Sequence, residues 1–175
     1  VHALEKTKNP WDETKTPGTS SSGSAVAVSL GQVPLATGTQ TAGSIIRPAS
    51  FCGVYGMKPS FGLIPRTGML KTTDSLDTPG FFTIYQTDLK RALDSMRTSG
   101  RNYPISDSAL SDETRQKKPT NRKWRVGFVR THTWDNTPEY ARQAIELYIK
   151  ELGADTDIEI TDVTLPEIMK QTHVV

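Results

Sequence analysis

TPGTSSSGSAVAVSLGQVPLATGTQTAGSIIRPASFCGVYGMKPS, residues 16–60, decides how this chain is read, because its glycines and serines fall into two clusters with an apolar run between them. The first cluster, Gly18-Thr19-Ser20-Ser21-Ser22-Gly23-Ser24, leads into small apolar residues at 24–30. Behind a serine-rich N-cap these suit a short buried helix, although their length also allows a strand. Gly31 ends that element, and residues 33–37 read as a strand. The second cluster, Thr39-Gln40-Thr41-Ala42-Gly43-Ser44, is then a sharp turn into a helix starting at Ser44, with Pro48 early enough to be tolerated near its first turn. A flexible linker would be polar throughout, whereas residues 24–35 are too apolar to stay solvated. Two tight turns hung on packed elements follow.

Outward from this stretch, helical and strand patterns alternate. Asn9-Pro10-Trp11-Asp12 gives a turn signal in an extended opening strip broken by Pro10 and Pro17. Alternation over 54–58 predicts a strand, Phe61-Gly62-Leu63-Ile64-Pro65 a turn, and Phe81-Phe82-Thr83-Ile84 another strand. Thr87-Asp88 opens a helix in which Leu89, Ala92, Leu93 and Met96 recur at helical spacing, closing near Gly100. Residues 101–124 show no periodicity and read as a loop connection. A β–α–β unit over 125–165 follows: a strand at 125–129, a helix, and a strand at 157–165 alternating Ile158, Ile160 and Val163. In that helix Thr137 is the expected N-cap, Pro138 the first helical residue, Gly153 the C-cap, and Ala141, Ala144, Ile145, Tyr148 and Leu152 the apolar face. The crossover is expected to be right-handed. The fold class is α/β.

Composition bounds the function. The 175 residues are 35% apolar and 23% charged with a formal charge of +2, which describes a soluble globular protein and implies no polyanionic partner. The basic run Arg115, Lys117, Lys118, Arg122, Lys123 and Arg125 lacks an aromatic platform and reads as a solvated loop, so nucleic acid has no primary role. No stretch approaches the roughly 18 apolar residues that would span a bilayer. The opening lacks the apolar core of a secretory signal, so a cytoplasmic location is expected, with an export signal upstream left open. One cysteine and three scattered histidines give neither a disulfide nor a metal-ligand spacing, so the chemistry is expected to need no metal or cofactor.

The two clusters, continued through FCGVYGMKPSFG, resemble the serine- and glycine-rich signature of the amidase signature family, whose hydrolases use a Ser–cis-Ser–Lys triad. The resemblance is most specific over 16–68 and implies a partial amidase signature fold, a mixed β-sheet flanked by helices. It implies that Ser44, in TAGSIIRP, is the nucleophile and that Ser20, the first serine of PGTSSSGS, is the bridging cis-serine. Their separation of 24 residues is the family's own. It further implies an oxyanion hole from the backbone N–H groups of Thr41, Ala42, Gly43 and Ser44, with Gly43 keeping the approach open. An amide is a poor electrophile with a poor leaving group, so such a nucleophile, proton shuttle and oxyanion site are what its hydrolysis requires. The implied substrate is a small-molecule amide, no membrane partner is indicated, and a homo-oligomer is left open. The family's lysine lies several tens of residues before the cis-serine. Lys6, Lys8 and Lys15 are too close to it, so the chain reads as an internal fragment of one amidase domain, with its lysine upstream and no activity in isolation.

This chain departs from the commonest family pattern at Thr19, Ser22 and Ala42, where glycine is usual, and at Ile46, where arginine is usual and Arg47 follows. The amidase subunit of a tRNA-dependent amidotransferase, which usually carries SGGS and DTGGSIR, is therefore the second enzymatic reading. A non-catalytic pseudoenzyme or an anion-binding module is a third, although the Gly-Lys-Ser/Thr ending of a Walker loop is missing. His2, His132 and His173 have no triad-like setting. Cys52, between Phe51 and Val54, reads as a small buried hydrophobe. Trp11, Trp124 and Trp134 are scattered, and Asp74, Ser75 and Asp77 read as a polar loop before a strand.

Overall fold

The computed structural model describes residues 6–100, 102–103 and 122–171. They belong to two compact units, one running to residue 113 and one starting at 114. Most of the expected loop at 101–124, with Arg115, Lys117 and Lys118 of the basic run, lies outside the described residues, as do His2 and His173.

The first unit is a three-stranded antiparallel sheet with helices packed on it. α1 (Ser22–Ser29) is followed by β1 (Leu35–Gln40), α2 (Ile46–Cys52), β2 (Tyr55–Met57), β3 (Thr78–Thr83) and α3 (Gln86–Met96). The strand order is β1-β3-β2, and every residue of the central β3 is buried. Neighbouring strand residues point to opposite faces. Phe82 accordingly joins a core of Ala25, Val28, Ile45, Ala49 and Cys52 from α1, α2 and the turn before α2, while Phe81 joins Ile64 and Ala92, with Leu89, Leu93 and Met96 of α3 packed around them. The helical spacing read in α3 is thus its buried stripe.

β1 lies two residues later than the sequence suggests and runs into the second cluster. Its ladder opens at Leu35 opposite Thr83, because Pro34 has no N–H to contribute. It continues through Gly38 and Thr39 to Gln40. Glycine is required at 38 by crowding: a Cβ there would stand 2.7 Å from Ser21 Oγ and 3.0 Å from the Phe82 ring. Opposite it, a Cβ on Gly80 would stand 2.1 Å from the Met57 carbonyl oxygen and 2.6 Å from Ile45 Cδ1. The opening strip is tied down. Asn9, 6% exposed, donates to the carbonyls of Thr16 and Phe51 at 3.0 Å each, and Trp11 Nε1 donates to the Cys52 carbonyl at 2.8 Å.

The second unit holds β4 (Trp124–Val129), α4 (Glu139–Leu152), β5 (Ile158–Val163) and a short α5 (Ile168–Gln171). β4 and β5 pair in parallel, Trp124 opposite Ile158 through Val129 opposite Val163, which is the expected β–α–β arrangement. Two details differ from the sequence reading. The Thr137 hydroxyl bonds the Thr133 carbonyl at 3.1 Å instead of capping, and Pro138 is the N-cap residue with an extended ψ of 143°. On α4, Ala141, Ile149 and Leu152 are half-buried, but Ala144, Ile145 and Tyr148 are exposed, because a two-stranded sheet offers too little surface to cover a four-turn helix. Arg122, Lys123 and Arg125 of the basic run are exposed. No helix among the described residues is long and apolar enough to cross a membrane.

Candidate active site

The two serine loops meet in the first unit. α1 carries one away from Ser20–Ser21, and β1 delivers the chain to the other, Thr41 to Ser44, before α2. The Ser21 N–H donates to the Ser44 carbonyl oxygen at 3.2 Å, so main chain joins main chain next to both serines. The Ser21 hydroxyl adds a second tie, donating to the Thr39 carbonyl at 3.2 Å and accepting from the Thr39 N–H at 3.3 Å. The Thr19–Ser20 peptide bond is cis. Ser20 is exposed and Ser44 half-buried. Gly18, at φ 79°, lies so close to α2 that a Cβ would stand 2.9 Å from Pro48 N and Cα. Only glycine fits that combination of left-handed backbone and close approach.

The loop from Thr41 to Ser44 is braced from two sides. On one side is Gln40, 7% exposed, whose Oε1 accepts from the N–H groups of Ile45 at 2.8 Å and Ile46 at 2.9 Å, and whose Nε2 donates to the Ala42 carbonyl at 2.9 Å. The Arg47 N–H closes the turn onto the Gly43 carbonyl at 2.9 Å. Among the described residues the N–H groups of Ala42, Gly43 and Ser44 have no intramolecular acceptor. The Arg47 guanidinium lies over Gly43, where a Cβ would stand 2.9 Å from Nη2.

On the other side is Asp77, immediately before β3 and 8% exposed. Its carboxylate accepts from the Thr41 hydroxyl, from the Thr72 N–H at 2.5 Å and hydroxyl at 2.9 Å, and from the Thr73 N–H and hydroxyl at 3.0 Å each. These donors, the Thr41 hydroxyl first among them, hold its carboxyl far below the usual carboxylate range. Arg66 fixes the carboxylate's own loop, donating to the carbonyls of Thr73 and Asp77 at 3.4 Å each while stacking on Phe61.

The structure therefore brings Ser20, Thr41, Ala42, Gly43 and Ser44 onto two joined loops, and it sets Cys52 apart. That thiol is fully buried in the core, its Sγ 3.4 Å from the Pro17 carbonyl, and burial pushes its pKa up. Lys6, Lys8 and Lys15 are exposed, and Lys8 pairs with Glu13 at 2.6 Å. Sequence reasoning missed Gln40 and Asp77. The signal for Gln40 was an amide side chain at the end of a strand, facing a turn full of unpaired backbone groups. Asp77 gave no local signal, since its partner in the loop lies 36 residues away.

Known proteins resemble this chain in sequence and in fold. A glutamyl-tRNA(Gln) amidotransferase subunit of Thermoanaerobacter pseudethanolicus is 36% identical over 95% of this chain and 34% of its own length. The crystal structure of a peptide amidase from Stenotrophomonas maltophilia superposes with a TM-score of 0.76 at 31% identity, covering 95% of this chain and 35% of that one. The crystal structure of the glutamyl-tRNA(Gln) amidotransferase subunit of Thermotoga maritima gives a TM-score of 0.77 at 29% identity, over 95% of this chain and 37% of that one. The chain spans about a third of the length of the relatives it matches. The sequence model described as Amidase matches residues 2–175, and with the two joined serine loops inside that match the chain belongs to the amidase family.

Proposed function

We propose that this chain carries the acylation centre of an amide hydrolase. The observation that carries the reading is the main-chain bond from Ser21 to Ser44, which holds the two serine loops side by side within a family match covering the chain. In this reading the Ser44 hydroxyl attacks the amide carbonyl carbon and passes its proton to Ser20, which passes its own to a neutral lysine that the family resemblance places several tens of residues before it. The N–H groups of Thr41, Ala42, Gly43 and Ser44 take the developing oxyanion. The carbon–nitrogen bond then breaks as the shuttle returns a proton to the leaving nitrogen. Water, deprotonated by the same relay, hydrolyses the ester on Ser44 and frees the acid.

An amidotransferase component that releases ammonia from glutamine is the second reading, favoured by the 36% identity to proteins of that name. The substrate preference of ammonia release separates the two. Full-length protein that turns over small primary amides and shows no preference for glutamine supports the first, and strong preference for glutamine supports the second. Loss of turnover in Ser44→Ala is expected under both, and turnover that survives Ser44→Ala refutes both. The 175 residues alone are expected to be inactive, since they span about a third of the length of the relatives they match.

A further inference from the structure

The geometry points to Asp77 as a positioning residue for acylation: through the Thr41 hydroxyl its carboxylate fixes the loop whose N–H groups receive the oxyanion. This rests on the reading of Ser44 given above. Thr41 begins the loop that ends at Ser44, and Asp77 is the side chain that holds it. The same carboxylate binds both backbone and side chain of Thr72 and Thr73, and the Thr72 hydroxyl stands 3.2 Å from that of Thr41. A single group thus joins the acylation loop to the start of the central strand, every residue of which is buried. An ionised carboxylate only accepts hydrogen bonds, and here every neighbour directed at it is a donor. An asparagine would present an N–H₂ to some of them.

Gln40 does not duplicate this brace. It holds the loop at Ala42, Ile45 and Ile46, and its side chain makes no bond to Thr41. An oxyanion donor displaced by about 1 Å can lose on the order of 10²-fold in rate while substrate binding is kept.

The test uses full-length protein and a serine-directed acylating probe, with peptide mass spectrometry locating the adduct and steady-state kinetics separating kcat from KM. Asp77→Asn and Thr41→Val are each expected to slow both labelling of Ser44 and kcat by on the order of 10²-fold with KM unchanged. Thr41→Ser is expected to recover most of the rate that Thr41→Val loses, which a merely packed threonine would not require. The double variant Asp77→Asn/Thr41→Val should be scarcely worse than either single one. Labelling of Ser44 at the wild-type rate in folded Asp77→Asn, or Thr41→Ser as slow as Thr41→Val, overturns the role. Should Asp77→Asn fail to fold, the Thr41 pair decides. Wild-type protein that is never labelled at Ser44 overturns instead the reading of the function, and the role of Asp77 with it.

Discussion

The Ser21 N–H donates to the Ser44 carbonyl oxygen across 3.2 Å, joining two loops that lie 23 residues apart in the chain. Because the bond is main chain to main chain, the register of the two loops does not depend on the identity of either side chain. The Ser21 hydroxyl is a separate contribution, since it bonds both main-chain polar groups of Thr39.

Ser21→Ala should therefore leave the loops joined but destabilise the unit. Two hydrogen bonds at about 0.5–1.5 kcal/mol each predict a loss of about 1–3 kcal/mol. Urea unfolding followed by circular dichroism checks this, and an unchanged midpoint would show that the hydroxyl contributes nothing.

A pair of glycines tests the packing account. Gly80→Ala places a methyl group 2.1 Å from the Met57 carbonyl in the centre of the sheet, an overlap that neither backbone can relieve cheaply, and should cost about 3 kcal/mol or more. Gly23→Ala, in α1 with nothing within 4 Å of the new methyl, should be neutral or stabilise by about 0.4–1 kcal/mol. Thermal melting of both variants should show shifts of opposite sign, or none for Gly23→Ala.

Asp77 gives stability a pH dependence whose sign can be worked out. Its carboxyl is held below its unfolded value, so the unfolded chain binds a proton here before the folded one does as pH falls. The contribution is complete above about pH 5 and drains away below it. Asp77→Asn should lower stability at neutral pH and show a shallower fall in melting temperature between about pH 5 and pH 3 than wild type. Parallel curves for the two proteins would contradict the brace.

Cys52 should behave as core. With its thiol fully buried and its pKa raised by desolvation, alkylation of native protein should be negligible and should appear only as urea unfolds the chain. Rapid native alkylation would mean that α2 opens on its own.

How far the sequence could be read followed the range of the interactions. α3 was legible because Leu89, Ala92, Leu93 and Met96 mark its buried stripe at 3.6 spacing. The serine clusters were legible because turns concentrate glycine and serine locally. The start of β1 at Leu35 depended on a ladder partner, Thr83, 48 residues away, and so could not be placed from Val33 onward. Thr137 looked like an N-cap, but its hydroxyl bonds the Thr133 carbonyl. Asp77 looked like loop polarity because its meaning lies in Thr41, and no local periodicity reports a bond across 36 residues.

In the proposed reaction Ser44 forms the covalent bond and Ser20 relays its proton. Full-length protein treated with a serine-directed acylating probe, digested and analysed by mass spectrometry, tests it most directly. An adduct on Ser44 alone is expected, with labelling slowed by roughly 10²–10⁴-fold in Ser20→Ala and no adduct in Ser44→Ala. An adduct on Ser20 or Cys52 in wild type, or labelling equally fast in Ser20→Ala, would contradict it.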